Sequence, residues 1–146
     1  MASKWETIGD AIVTSLNAAT LSQSFTAARK YRPYHEQKTL ESESAPRVYV
    51  IPVSRSSDSQ SRRPSHNRSY LFDIEIHKYI ASADTVANVD EWATLAEEIE
   101  DHLIDAGNMA SAVWVSSEND EPFDPDALFT QNIFSTALRV GYRYIK

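Results

Sequence analysis

SYLFDIEIHKYI, residues 69–80, decides the fold class. Tyr70, Phe72, Ile74 and Ile76 point one way, and Asp73, Glu75 and His77 point the other. A two-residue period of this kind belongs to a strand with one buried and one wet face. Such a run spans about 36 Å, longer than a usual strand. Upstream lies a second apolar run, APRVYVIPVS (45–54), in which Val48 and Val50 oppose Tyr49, Ile51 and Val53. Pro52 cannot donate to a ladder, so its amide position belongs on an edge, at a bulge or past the paired region. Between the two runs sits RSSDSQSRRPSHNR (55–68), polar and serine-rich. Together they read as a long protruding β-hairpin with a flexible tip at 55–68.

Outward from the hairpin, two helices are expected. Over 3–19, Trp5, Ile8, Ile12, Leu16 and Ala19 recur at helical spacing, and Ser3 with Glu6 makes a capping box. Gly9 costs that helix about 1 kcal/mol relative to Ala and allows close packing against a sheet. Over 89–106, Trp92, Leu95, Ala96, Ile99 and Leu103 form an apolar stripe, with Asn88 and Glu91 as its capping pair and Gly107 as its C-cap. The opposite face carries Glu97, Glu98, Glu100, Asp101 and Asp105.

The remaining runs are extended. SQSFTAARKYRPY (22–34) reads as a strand ended by Pro33, and SAVWVSS (111–117) as a short strand. Asp124 and Pro125 begin one helical turn. In the last run Phe134, Thr136, Leu138, Val140, Tyr142 and Tyr144 share a face. A strand there must be paired to stay ordered. The order is that of a single α+β domain over 1–146, a mostly antiparallel sheet with two main helices packed on one face.

Composition narrows the function. The 146-residue chain has no cysteine, so neither a disulfide framework nor a thiolate metal site is available. No apolar run approaches the roughly 18 residues of a membrane span, and Glu6 and Asp10 interrupt any signal-peptide core. The net charge is −7, yet the tip carries Arg55, Arg62, Arg63 and Arg68 against Asp58 alone. The tip is therefore +3 and the remainder −10. That segregation suits contacts between copies of one protein or with another acidic partner. It also admits a nucleic-acid-binding tip, which the overall acidity and the lack of aromatics within the loop disfavour.

No catalytic constellation is present. His35, His66, His77 and His102 have no metal-ligand spacing, and His77 is expected at the surface. Glu118, Asp120, Glu121, Asp124 and Asp126 do not follow a calcium-loop pattern and read as a solvated acidic loop. Three glycines cannot build a phosphate-cradling loop. Neither a nucleophile motif nor a cofactor fingerprint occurs, so no enzyme activity, cofactor or metal is expected.

The succession WETIGDAIVTSLNAA, FTAARKYRPY, RVYVIPVSR, YLFDIEIHKYI, DEWATLAEEIEDHL, AVWVSSENDEPFDPDAL and IFSTALRVGYRYI resembles small neck and tail proteins of tailed phages. The most specific part is ENDEPFDPDAL followed by the final β-run. The group is similar to the tail terminators, with their tail-completion and head–tail joining relatives. The resemblance implies an α+β structural virion protein that forms a ring, usually a hexamer. The ring caps the tail tube and docks to the head connector, after assembly in the host bacterial cytoplasm. A head–tail connector or stopper is the alternative within the same group. Implied partners are further copies of the chain, the tail tube protein and the connector or stopper, with no membrane and no specific nucleic acid. The candidate interface set is Arg55, Arg62, Arg63 and Arg68 on the tip, meeting Glu97, Asp101 and Glu121 of a neighbour. Apolar edges of 47–53 or 134–144 are expected to extend the sheet between subunits.

Overall fold

The computed structural model describes residues 2–31, 43–59, 66–80, 86–120 and 122–145. The elements are α1 (Lys4–Ala18), β1 (Thr26–Arg29), β2 (Arg47–Ser59), β3 (His66–Tyr79), α2 (Val86–Ala106), β4 (Asn108–Met109), β5 (Ala112–Glu118), α3 (Pro125–Gln131) and β6 (Ile133–Ile145). Six strands form one sheet in the order β1-β2-β3-β6-β5-β4. All pairings are antiparallel except β1 with β2. The α+β class expected from the alternating runs is the class found.

The alternation along β3 sets the layers. Phe72, Ile74 and Ile76 lie opposite Val140, Leu138 and Thr136 on β6, and opposite Pro52, Val50 and Val48 on β2. This face is buried against Ile8, Ile12 and Leu16 of α1 and Leu95, Ile99 and Leu103 of α2. Gly9 lets α1 approach closely, since a Cβ there would stand 2.8 Å from Arg29 Cδ and 3.4 Å from Phe72 Cε1.

Local signals fix the helix ends. The Ser3 backbone N–H donates to Glu6 Oε2 (2.7 Å) and the Glu6 N–H donates to Ser3 Oγ (3.2 Å), a reciprocal cap. These bonds favour the ionised carboxylate and hold Glu6 below its ordinary pKa. Gly107 ends α2 with φ +71, a conformation that costs glycine little, and its N–H donates to Leu103 O (3.1 Å). Asp124 caps α3, with Pro125 in its first position.

Four expectations need correction. First, the supposed loop 55–68 is mostly hairpin. Residues 55–59 and 66–68 are strand, and the β2–β3 ladder continues to Ser59 opposite His66. The reason lies at the other end of the chain: β6 extends alongside, pairing Tyr144 with Arg68 and Ile145 with Asn67. Backbone bonding thus orders a stretch whose side chains give no apolar signal. Second, α2 starts at Val86, so Asn88 lies inside its first turn and is not the cap. Third, His77 is buried, not at the surface. Its ring lies 5.7 Å from that of Tyr49 on the neighbouring strand, and Nε2 is 3.5 Å from Glu75 Oε1. A large cross-strand aromatic neighbour can cover a position that alternation assigns to the polar face. Fourth, 134–144 is not an edge, since β6 lies between β3 and β5. The 47–50 part of β2 is likewise covered by β1.

Ile74 is fully buried at the centre of this packing. Ile74→Ala is expected to lower unfolding free energy by about 2–5 kcal/mol in a denaturant melt. A loss under about 0.5 kcal/mol would contradict its place in the core.

Candidate assembly interface

The hairpin places two of the tip arginines. Arg55 lies on β2 opposite Tyr70, and Arg68 lies on β3 between Ser57 and Tyr144. Arg55 is exposed. Arg68 is half-buried, and its Nε is enclosed without a hydrogen-bond partner. The two are therefore unequal: among the described residues Arg55 stands at the surface with no ion pair, and Arg68 is sunk into the sheet. Arg62, Arg63 and Glu121 lie outside the described residues.

Glu97 and Asp101 are exposed on α2, on the side away from its buried stripe. Among the described residues, neither makes an ion pair with Arg55 or Arg68. Among the described residues, the structure does not bring Arg55 or Arg68 to Glu97 or Asp101 within one chain. It leaves Arg55, Glu97 and Asp101 facing solvent.

Other cations are already partnered. Arg29 Nε donates to Asp10 Oδ1 (2.8 Å), and Arg47 Nη2 donates to Glu43 Oε1 (2.6 Å). Arg139 grips both carboxylate oxygens of Asp73, at 3.0 and 3.4 Å. Each of these guanidiniums has its pKa raised, chiefly by the hydrogen bond to its carboxylate.

Arg139 and Asp73 form part of the wall of a cavity of about 250 Å³, with Glu118, Asp120, Asp124 and Thr136. The Glu118 carboxyl shares a hydrogen bond with Asp120, which raises its pKa, and the like charge adds to the effect. Among the described residues, no three His, Asp or Glu side chains are grouped to hold a metal ion. The cavity wall is thus rich in carboxylates, and the Arg139 cation among them is committed to Asp73.

Reasoning from residue types missed a row of aromatic residues towards the hairpin end of the sheet, away from the acidic loop. Trp5, Tyr70, Trp114 and Tyr142 have enclosed polar atoms without partners. Tyr70, Trp114 and Tyr142 occupy one cross-strand row. Burial pushes the Tyr142 phenol upward, so it stays protonated. Lys4 Nζ sits 4.1 Å from the Tyr144 ring centroid and donates to Ala110 O, tying the start of α1 to the same end. The alternation of β6 pointed to Tyr142 and Tyr144, but the row across three strands needed the register.

No family model matches the chain, and no curated protein matches it. The fold is similar to that of a chain in a solved structure described as the virion of a native gene transfer agent (GTA) particle. The match has a TM-score of 0.53 at 12% identity, and covers 98% of this chain and 100% of that one. No helix among the described residues is long and apolar enough to cross a membrane.

The Glu118–Asp120 contact has a testable sign. A raised folded-state pKa means that the folded chain holds the proton more readily, so the contact costs stability as pH rises through the Glu118 titration. In a carbon-detected NMR titration, Glu118 should titrate above the ordinary glutamate range. It should move down towards that range in Asp120→Asn. An unchanged midpoint in the variant would remove Asp120 as the cause.

Proposed function

We propose that this chain is a structural virion protein of a tailed phage or phage-like particle, and that it closes a ring as a tail terminator. In this reading the ring, a hexamer, caps the tail tube and joins it to the head connector. The role is non-catalytic and rests on surface complementarity. One observation carries the reading: the end-to-end fold correspondence with a chain of the GTA particle, 98% of this chain against 100% of that one. The resemblance of the sequence elements to tail terminators supports the finer assignment over a head–tail stopper.

The distribution of charge fits a ring. Identical subunits in a closed ring use heterologous contacts, in which one patch meets a different patch on the next copy. The hairpin supplies the basic patch through Arg55, Arg62, Arg63 and Arg68. The outer side of α2 and the acidic loop supply Glu97, Asp101 and Glu121. Exposed pairs of this kind are each worth about 0–1 kcal/mol, so they set register and partner choice more than affinity. A nucleic-acid role through the same arginines fits less well, given the net charge of −7 and the enclosure of the Arg68 Nε.

Negative-stain class averages of the purified protein, alone and mixed with tail tubes and connectors, test this reading. The expected outcome is a ring of fixed symmetry that binds the end of the tube. Replacing all four arginines with serine should leave the monomer folded and impair ring formation or tail joining. Assembly should also weaken with salt, because the Debye length falls to about 3 Å at 1 M. Rings and joined particles at wild-type yield from the quadruple variant would exclude charge docking. A protein that stays monomeric in the presence of tubes and connectors would exclude the ring.

A further inference from the structure

The sheet is capped at one end and open at the other. On one side, β1 covers β2 only as far as Val50, where the Lys30 N–H donates to Val50 O (3.0 Å). The outer edge of β1 is itself covered: Asn17 accepts from the Ala27 N–H (2.7 Å) and donates to Ala27 O (3.2 Å). On the other side, β4 covers only Ala112 and Val113 of β5, and the Trp114 N–H donates to Gly107 O (2.8 Å). Beyond these points β2 and β5 have no strand on their outer sides among the described residues.

The ladders show which main-chain groups face outward. Because the Val50 carbonyl turns to β1, Val50 and Ile74 form a non-hydrogen-bonded pair, and every second residue of β3 repeats that arrangement. Its β2 partners Pro52, Arg55 and Ser57 therefore turn their polar main-chain groups outward. By the same alternation from Trp114 opposite Tyr142, Ser117 opposite Val140 turns outward on β5. The amides of Arg55, Ser57 and Ser117 have no partner among the described residues. Pro52, which has no N–H, lies outside the stretch 55–57 that could pair.

The two open edges match each other. The strands β2, β3, β6 and β5 alternate in direction, so β2 and β5 run opposite ways on opposite sides of one sheet. A copy related by rotation about an axis tilted to the strands runs its β2 antiparallel to β5 of the first and, with a stagger of about two to four residues, sets Arg55 and Ser57 beside Ser117. Segment 114–117, beyond β4, carries no charge, and Val115 is 39% exposed beside a groove of about 330 Å³. An uncharged, unpaired edge of this kind is what folded proteins normally protect. Val53, 38% exposed, stands at the bulge where the open part of β2 begins.

We propose that the occupant of each open edge is a second copy of this chain. The β2 edge around Arg55 and Ser57 pairs antiparallel with the β5 edge around Ser117 of the next copy, making the sheet continuous between subunits. The inference rests on the self-assembly in the function proposed above and names the contact that carries it.

Proline at an outward-facing edge position removes one outward donor and no internal ladder bond. Ser57→Pro blocks the β2 edge and Ser117→Pro blocks the β5 edge. Light scattering of each variant should give monomer, with association weakened about tenfold or more, where the wild type assembles. Circular dichroism and melting should show both folded. Ser57→Ala and Ser117→Ala should assemble normally. A 1:1 mixture of the two proline variants should give a dimer and nothing larger, since each retains the edge that the other lacks. Independently of any variant, hydrogen exchange at Arg55, Ser57 and Ser117 should be slow in the assembly and fast in dilute monomer. Wild-type assembly by both proline variants, or fast exchange at these amides in the assembly, would overturn the edge contact and leave the ring standing. A dimer of Ser117→Pro alone would show β2 pairing with itself and overturn the head-to-tail arrangement. A monomeric wild type would overturn the ring and the edge contact together.

Discussion

The antiparallel register of β3 against β6 is the constraint on which the rest of the structure depends. It runs without a break from Asn67 opposite Ile145 to Tyr79 opposite Ile133. In a sheet with one buried face, a slip of a single residue would exchange every core side chain for a polar one. Phe72, Ile74, Ile76, Leu138 and Val140 are buried together only in this register. The helices depend on it in turn, because their apolar stripes have no other surface of this size to cover. This pairing links the middle of the chain to its end, a closure whose entropic cost the buried core must offset.

The same register explains why the hairpin is longer than its apolar content. Beyond Tyr70 the side chains of β3 are polar, yet the strand continues because β6 supplies bonding partners on one side and β2 on the other. Side-chain burial drives the lower part of the sheet, and hydrogen bonding extends the upper part. Each such bond adds about 1 kcal/mol net, which is enough when neighbouring residues are already fixed. The result is a paired hairpin from which Arg55 faces solvent.

Much of this was legible in the sequence, for identifiable reasons. The Ser3–Glu6 cap, the α2 stripe from Trp92 to Leu103, the Asp124–Pro125 start and the alternation of β3 and β6 are local patterns, and all four are present. What could not be read depends on contacts far along the chain. The parallel pairing of β1 with β2 leaves no local mark. The burial of His77 required knowing that the Tyr49 ring packs beside it from the neighbouring strand, one pair along from its direct partner Arg47. The turn joining β4 and β5 places Ala110 and Ser111 at φ 51 and 70, where glycine or asparagine would be the expected signal. Lys4 of α1 donates to the Ala110 carbonyl and helps hold that turn, again through a distant residue. At the interface, the charge segregation was visible, but the central position of β6 was not, and it moves the sheet edge from 134–144 to β5 and the upper part of β2.

Both open edges contain a bulge, one between Pro52 and Ser54 and the other between Trp114 and Ser116. Bulges commonly protect an edge by twisting it away from flat neighbours. They also increase local twist and coiling, which a sheet must have to curve into a closed ring. The two effects act together here. A flat partner strand from an unrelated protein meets a twisted edge and, at Pro52, a missing donor. A second copy carries the same twist on its own edge, so only like meets like without strain. In the proposed assembly, edge protection and selective self-pairing are then the same geometric property, and the charged residues on the hairpin and on α2 would need only to choose the register.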